Sequence, residues 1–189
     1  MEGLTTEIVK RIAADTIFGK PLVTNVYRSV IVEAIVATAL PDWNWCSADY
    51  ASCDFIHPDG TRLEVKQSAM RQTWVTKAPS KPSWDIAART GFWENGTDWT
   101  ERAGRNADVY VLGLHDLVDD NADHRDPAQW QFFVLSEHRL PSTKRLGLAT
   151  AMRLVQPVGC SDLAGAVRKA LSERRFVYGT GDLQRSSAW

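Results

Sequence analysis

Residues 54–68 read Asp54-Phe55-Ile56-His57-Pro58-Asp59-Gly60-Thr61-Arg62-Leu63-Glu64-Val65-Lys66-Gln67-Ser68. The centre, His57-Pro58-Asp59-Gly60, is a turn in which glycine supplies the positive φ that a tight reversal needs. The flanks therefore read as a hairpin, with one arm over 48–57 and the other over 61–68. The second arm alternates. Leu63, Val65 and Gln67 point one way; Arg62, Glu64, Lys66 and Ser68 point the other.

Asp54 on the first arm and Glu64 on the second place two carboxylates near one another, with the Lys66 ammonium on the same face as Glu64. Close carboxylates repel, and their pKa values rise unless a cation intervenes. A divalent ion resolves the conflict, and Mg²⁺ takes one or two carboxylates plus water and substrate phosphate. The expected cofactor is Mg²⁺, with Mn²⁺ as a substitute. Lys66 can then orient or deprotonate an attacking water and stabilise charge on a phosphate. This set meets the needs of phosphodiester hydrolysis. The same residues have plainer readings. Glu64 and Lys66 also fit a charge pair on a solvated face, and Asp54 fits a carboxylate near a turn.

Upstream, residues 4–18 carry Leu4, Ile8, Ile12 and Ile17 at helical spacing, and Gly19-Lys20-Pro21 interrupts them. A second helix is expected from Asn25 to Leu40, capped by Thr24 or Asn25 and followed by Pro41. Its apolar face is broad, and Glu33 sits beside it. That glutamate fits a snorkelling edge residue or a partner for Arg28. Downstream, 70–82 reads as a loop and Ser83–Ala88 as a short strand. Residues 89–106 contain the strong turn dipeptide Asn95-Gly96. Ala107-Asp108-Val109-Tyr110-Val111-Leu112-Gly113-Leu114 is expected as a buried central strand. An acidic loop over 115–128 follows, then a strand over Trp130–Leu135 and an amphipathic helix over Cys160–Arg174 that Ser161 can cap. Together these predict one α/β domain over 1–189, with a mixed sheet flanked by the 25–40 and 160–174 helices. Residues 1–20 form a helical extension and 175–189 an irregular tail.

Composition agrees with a globular chain. The 189 residues are 44% hydrophobic and 24% charged, with a net charge of −1. Near-neutrality argues against coating nucleic acid by bulk charge, yet a local basic site survives. Residues 61–90 hold Arg62, Lys66, Arg71, Lys77, Lys81 and Arg89 against only Glu64 and Asp85, interleaved with Trp74 and Trp84. Phosphate neutralisation plus stacking makes Arg62, Ser68, Arg71, Lys77, Lys81 and Arg105 the candidate nucleic-acid contacts. For the tryptophans a role in the core is the competing reading, and Arg105 equally fits a pair with Asp108. No apolar run approaches the ~18 residues of a membrane span. Met1-Glu2-Gly3 lacks the basic start of an export signal, so the expected compartment is the cytoplasm. Cys46, Cys53 and Cys160 match no zinc spacing and read as free thiols. Asp119-Asp120-Asn121-Ala122-Asp123 begins like a calcium loop but lacks its Gly and its closing Glu. There is no phosphate-cradling glycine loop, so no nucleotide cofactor is expected.

Asp54, nine residues, then Glu64-Val65-Lys66 resembles the PD-(D/E)XK nuclease superfamily, with Cys53 where the motif's proline would stand. Residues 25–136 further resemble a bacterial family of small stand-alone proteins related to restriction-type nucleases. The segments that carry this second likeness are Glu64–Ala69, Ser83–Ile86, Arg105 to Val111 and Trp130–Leu135. The resemblance implies a restriction-endonuclease-like core and a metal site of Asp54 and Glu64, joined by Glu33 from the preceding helix. It implies Lys66 as the catalytic cation, with Gln67 assisting. Alternation alone sets Gln67 opposite Glu64 and Lys66 unless a bulge re-aims it. The expected activity is Mg²⁺-dependent hydrolysis of DNA, with a role in restriction or host defence implied by the likeness alone. Double-strand cleavage would suggest a homodimer, because one such site cuts one strand. The alternatives are a non-catalytic DNA- or protein-binding module on the same fold, or a subunit of a larger defence complex.

Overall fold

The stretch Ala107–Leu114 becomes strand β7 (Val109–His115), and every residue of the strand is buried. Branched and aromatic side chains on both faces suit a strand covered on both sides. The sheet grows outward from it. β3 (Arg62–Ala69) lies parallel to β7 in continuous register from Leu63↔Val109 to Ala69↔His115. β8 (Gln131–Ser136) lies antiparallel on the other flank. β2 (Phe55–Ile56) and β1 (Asn44–Trp45) complete a five-stranded mixed sheet, ordered β1-β2-β3-β7-β8. The computed structural model describes residues 3–46, 51–94 and 97–178, and over these the fold is mixed α/β.

Alternation divides the core in two. Leu63, Val65, Val109, Val111, Phe132 and Val134 face α2 (Asn25–Ala39) and α4 (Leu163–Tyr178), whose Val32, Ile35, Val36, Leu163 and Val167 close the layer. Tyr110, Leu112, Leu114, Phe133 and Leu135 face the other way. Trp84 and Ile86 meet them there, together with Leu146 of β9 (Arg145–Gly147) and Ala151 of α3 (Leu148–Leu154). The two expected flanking helices thus share one face, and the opposite face is covered by β9, by α3 and by β4 (Ser83–Asp85). A Cβ on Gly113 would stand 3.2 Å from Val32 Cγ1, so the glycine lets α2 sit close on β7.

The connection from β3 to β7 is unusual. Parallel strands are generally joined through a crossover helix. Here residues 70–108 supply β4 and then a separate hairpin, β5 (Arg89–Glu94) with β6 (Asp98–Gly104). The turn expected at Asn95-Gly96 lies outside the described residues.

Several expectations are corrected. The first hairpin arm, expected over 48–57, is a strand only at Phe55–Ile56; residues 48–50 lie outside the described residues. The 89–106 segment is a full hairpin, and α3 and β9 had no clear signal. The Cys160–Arg174 helix starts at Leu163, so Ser161 falls in a short 3-10 turn and bonds Asp162 rather than capping the helix. Helical structure runs on to Tyr178; the rest of the expected tail is outside the described residues. α1 (Thr6–Phe18) forms with Thr5 as its cap, yet none of its residues is buried. At the start of α2, the Thr24 side chain makes no capping bond. Among the described residues, no helix is long and apolar enough to cross a membrane.

His124 ties the 115–128 loop to the segment between α1 and α2. Its Nδ1 accepts from the Val23 N–H at 3.0 Å, and its carbonyl accepts from Trp130 Nε1 at 2.9 Å. Burial, the Arg28 guanidinium and His115 push the His124 imidazole down to about 4. The unfolded chain therefore takes up a proton near pH 6.5 that the folded protein refuses until about 4. Stability is full above pH 6.5 and is lost as pH falls through that window. Urea midpoints should drop between pH 7 and pH 5, and His124→Gln should flatten that slope. Equal slopes would show that His124 is not the group responsible.

Candidate active site

The site starts with a backbone amide. Leu63 and Val65 direct their amides and carbonyls toward β2. Leu63 O accepts from the Asp54 N–H at 3.1 Å, one residue off the Phe55↔Leu63 register. Val65 N–H, the next donor along, finds no backbone carbonyl on β2; it donates to Asp54 Oδ2 at 2.6 Å. The carboxylate stands in for the missing strand residue. This is why β2 is short, and it fixes Asp54 beside Glu64, the position that continues the Phe55↔Leu63 register.

Glu64 and Lys66, two apart on β3, share the face opposite Leu63 and Val65. They form an ion pair with side chains 19% and 31% exposed, half-buried rather than fully solvated. Asp54, Glu64 and Lys66 line a cleft of about 270 Å³. Tyr110, Asp85 and Arg105 line it as well, with Arg89, Gly91, Phe92, Trp93 and Trp99 of the β5–β6 hairpin.

Electrostatics in the cleft are poised rather than relaxed. Burial lifts the Glu64 carboxyl to about 7; the Lys66 charge opposes this and the Asp54 charge adds to it. Burial also raises Asp54, against the pull of the Val65 N–H bond and the Lys66 charge. Burial alone would lower Lys66, but Glu64 and Asp54 outweigh it and hold the ammonium above its ordinary value. Glu64 and Asp54 thus hold Lys66 as a cation in this arrangement. Burial and the Glu64 charge raise the Tyr110 phenol as well.

Glu33 lies at the edge of this arrangement. Its carboxylate accepts from Trp45 Nε1 at 2.8 Å. Burial, followed by the charge of Asp54, raises its pKa, while Lys66 lowers it. It is within electrostatic reach of the cleft without lining it. Among the described residues, no three His, Cys, Asp or Glu side chains converge on one point as a ready metal cage. Two carboxylates still suffice for Mg²⁺, which keeps most of its ligands as water and phosphate. The raised pKa values of Asp54 and Glu64 fit a pair that lacks enough positive charge.

Gln67 does not join them. The register of β3 with β7 has no bulge, so Gln67 points at α2. There Arg28 Nε donates to Gln67 Oε1 at 2.7 Å, and Gln67 Nε2 donates to Asn25 Oδ1 at 3.0 Å. Arg28 is buried, takes amide rather than carboxylate partners, and is pushed down to about 10 by that burial. It does not pair with Glu33.

The expected nucleic-acid contacts scatter. Arg62 lies 5.6 Å from the centroid of Phe92. Ser68 accepts from the Ser83 N–H at 3.3 Å, and Arg71 pairs with Asp120 at 2.7 Å. Lys77 and Lys81 are exposed in the 70–82 loop, away from the cleft lining. Arg105 lines the cleft, but its guanidinium is held by Ile86 O, Glu137 and Pro141 O. Trp84 is in the core, and Trp74 is 57% exposed. Tyr110, Asp85 and the hairpin residues were missed as site residues. The available signal was Asn95-Gly96 with Trp93 before it and Trp99 after it.

Comparison with known proteins adds no assignment: no family model and no curated protein matches the chain.

The Asp54–Val65 bond separates folding from chemistry. Asp54→Ala leaves a partly buried N–H unpaired and should cost about 1–3 kcal/mol in chemical denaturation. Asp54→Asn keeps a carbonyl oxygen at the same place and should retain most of that stability. Equal losses in the two variants would refute the role of this bond.

Proposed function

We propose that the protein is a metal-dependent nuclease that hydrolyses DNA phosphodiester bonds on a restriction-endonuclease-like core. The observation that carries this reading is the convergence of Asp54, Glu64 and Lys66 in one cleft, with both carboxyls raised by burial in each other's company. Chain order supports it too: an acid-bearing helix, a strand end carrying Asp54, then the strand carrying Glu64 and Lys66. Asp54 and Glu64 would hold Mg²⁺ or Mn²⁺, which supplies Lewis acidity to a bound phosphate when present. Glu33 supports the acidic pair from α2. The Lys66 ammonium orients the attacking water and offsets the charge that builds on the phosphate oxygens. The low polarity of a half-buried cleft strengthens that attraction. A place in restriction or host defence is part of the proposal and rests on the family likeness.

One observation favours a second reading. Lys66 is an ion-pair partner of Glu64 within the protein itself, as expected of a binding module that has no catalysis. The two differ in their need for Mg²⁺.

Calorimetric titration of Mn²⁺ into the protein in the presence of DNA should show binding that Glu64→Gln removes. Lys66→Ala should retain the metal but slow DNA cleavage by roughly a hundredfold or more. DNA binding that is unchanged by EDTA, with no cleavage in Mg²⁺ or Mn²⁺, would favour the binding module.

A further inference from the structure

We infer that the β5–β6 hairpin is a stacking plate for unpaired bases, so that the cleft takes its strand in single-stranded form. This rests on the nuclease reading and adds the state of the substrate to it.

The plate is a built feature. Trp93 and Trp99 are directly paired across the hairpin, with ring centroids 5.4 Å apart and an edge-to-face angle of 67°. Both stay open to solvent, at 41% and 50%. Both nevertheless belong to the wall of the cleft that holds Asp54, Glu64 and Lys66. Gly91 makes the arrangement possible. A Cβ there would stand 2.6 Å from Trp99 Cζ2, so the indole lies across bare backbone. Beneath the plate, Phe92 is buried, and Arg102 sits 4.8 Å from its ring centroid. The hairpin is thus held through Phe92 and sets Trp93 and Trp99 in the lining of the cleft.

Half-exposed tryptophans beside a site are not explained by the core. Each offers a π-face, and every base has one, so stacking suits a strand without regard to sequence. A duplex already stacks its bases internally and has none to offer a wall. The cleft points the same way, since its carboxylates are recessed and its volume is at the lower limit of small-molecule sites. The strand must enter with its neighbouring bases turned toward the wall. The hairpin contains Asp98 and Glu101 as well as Arg89 and Arg102, so general attraction to phosphate does not explain the plate.

The test is fluorescence anisotropy with the full chain, Ca²⁺ replacing Mg²⁺, and three labelled probes. These are a single-stranded 12-mer of DNA, its duplex, and the single strand with abasic residues at its centre. The wild type should prefer the single strand to the duplex by fivefold or more. Trp99→Ala should weaken single-strand binding about fivefold to a hundredfold, Trp99→Phe should restore much of it, and duplex binding should not change. The abasic strand should bind the wild type weakly and be indifferent to Trp99→Ala. Equal affinity for single strand and duplex, no effect of Trp99→Ala, or no binding of either probe would overturn the inference. Cleavage measured separately with wild type and Lys66→Ala keeps the two readings distinguishable. Metal-dependent cleavage without single-strand preference defeats only the stacking plate, and stacking without cleavage defeats only the nuclease.

Discussion

A carboxylate bonded to a backbone amide organises this molecule. By accepting the Val65 N–H, Asp54 ends one strand and extends the edge of the next with a side chain in place of main chain. A residue that completes a ladder has little freedom to turn away. The bond therefore holds a buried anion beside Glu64, a neighbour it would otherwise avoid. Lys66 relieves part of the repulsion, at a spacing that the strand itself dictates.

β3 shows how one strand serves two ends. On one side, Leu63 and Val65 close a dry layer under α2 and α4. On the other, Glu64 and Lys66 meet a cleft. Gln67 belongs to the first side, and its amide is consumed by the buried guanidinium of Arg28, which would otherwise face apolar surroundings with too few partners. The pleat alone decides which of these side chains meet α2 and which meet the cleft.

Much of this was legible in the residues. The alternation of 61–68, the turn at Gly60 and the apolar run of β7 declared themselves, because burial and positive φ restrict composition. The same alternation placed Gln67 correctly, where the family likeness did not. The extent of the first arm was not legible, because a side chain replacing a backbone partner leaves no periodic trace. Both expected flanking helices were found, but their falling on one face depends on connections that local pattern does not encode. The aromatic wall of the cleft was legible only as an excess of tryptophan around Asn95-Gly96, since which site a hairpin leans over is a long-range matter. Arg105 and Arg71 were read by charge alone, and their bonds to Pro141 O and Asp120 left no trace in local pattern.

The helix-free link between β3 and β7 has a consequence for how such a protein can change. Two parallel strands must be bridged, and lengthening a bridge that already exists adds little entropy, about 0.6 kcal/mol per doubling. The β5–β6 hairpin sits within that bridge and lends no strand to the main sheet. Its sequence can drift, lengthen or be exchanged while the pleat that carries Glu64 and Lys66 stays as it is. The main sheet and the hairpin beside it are thereby separately inheritable parts of one chain.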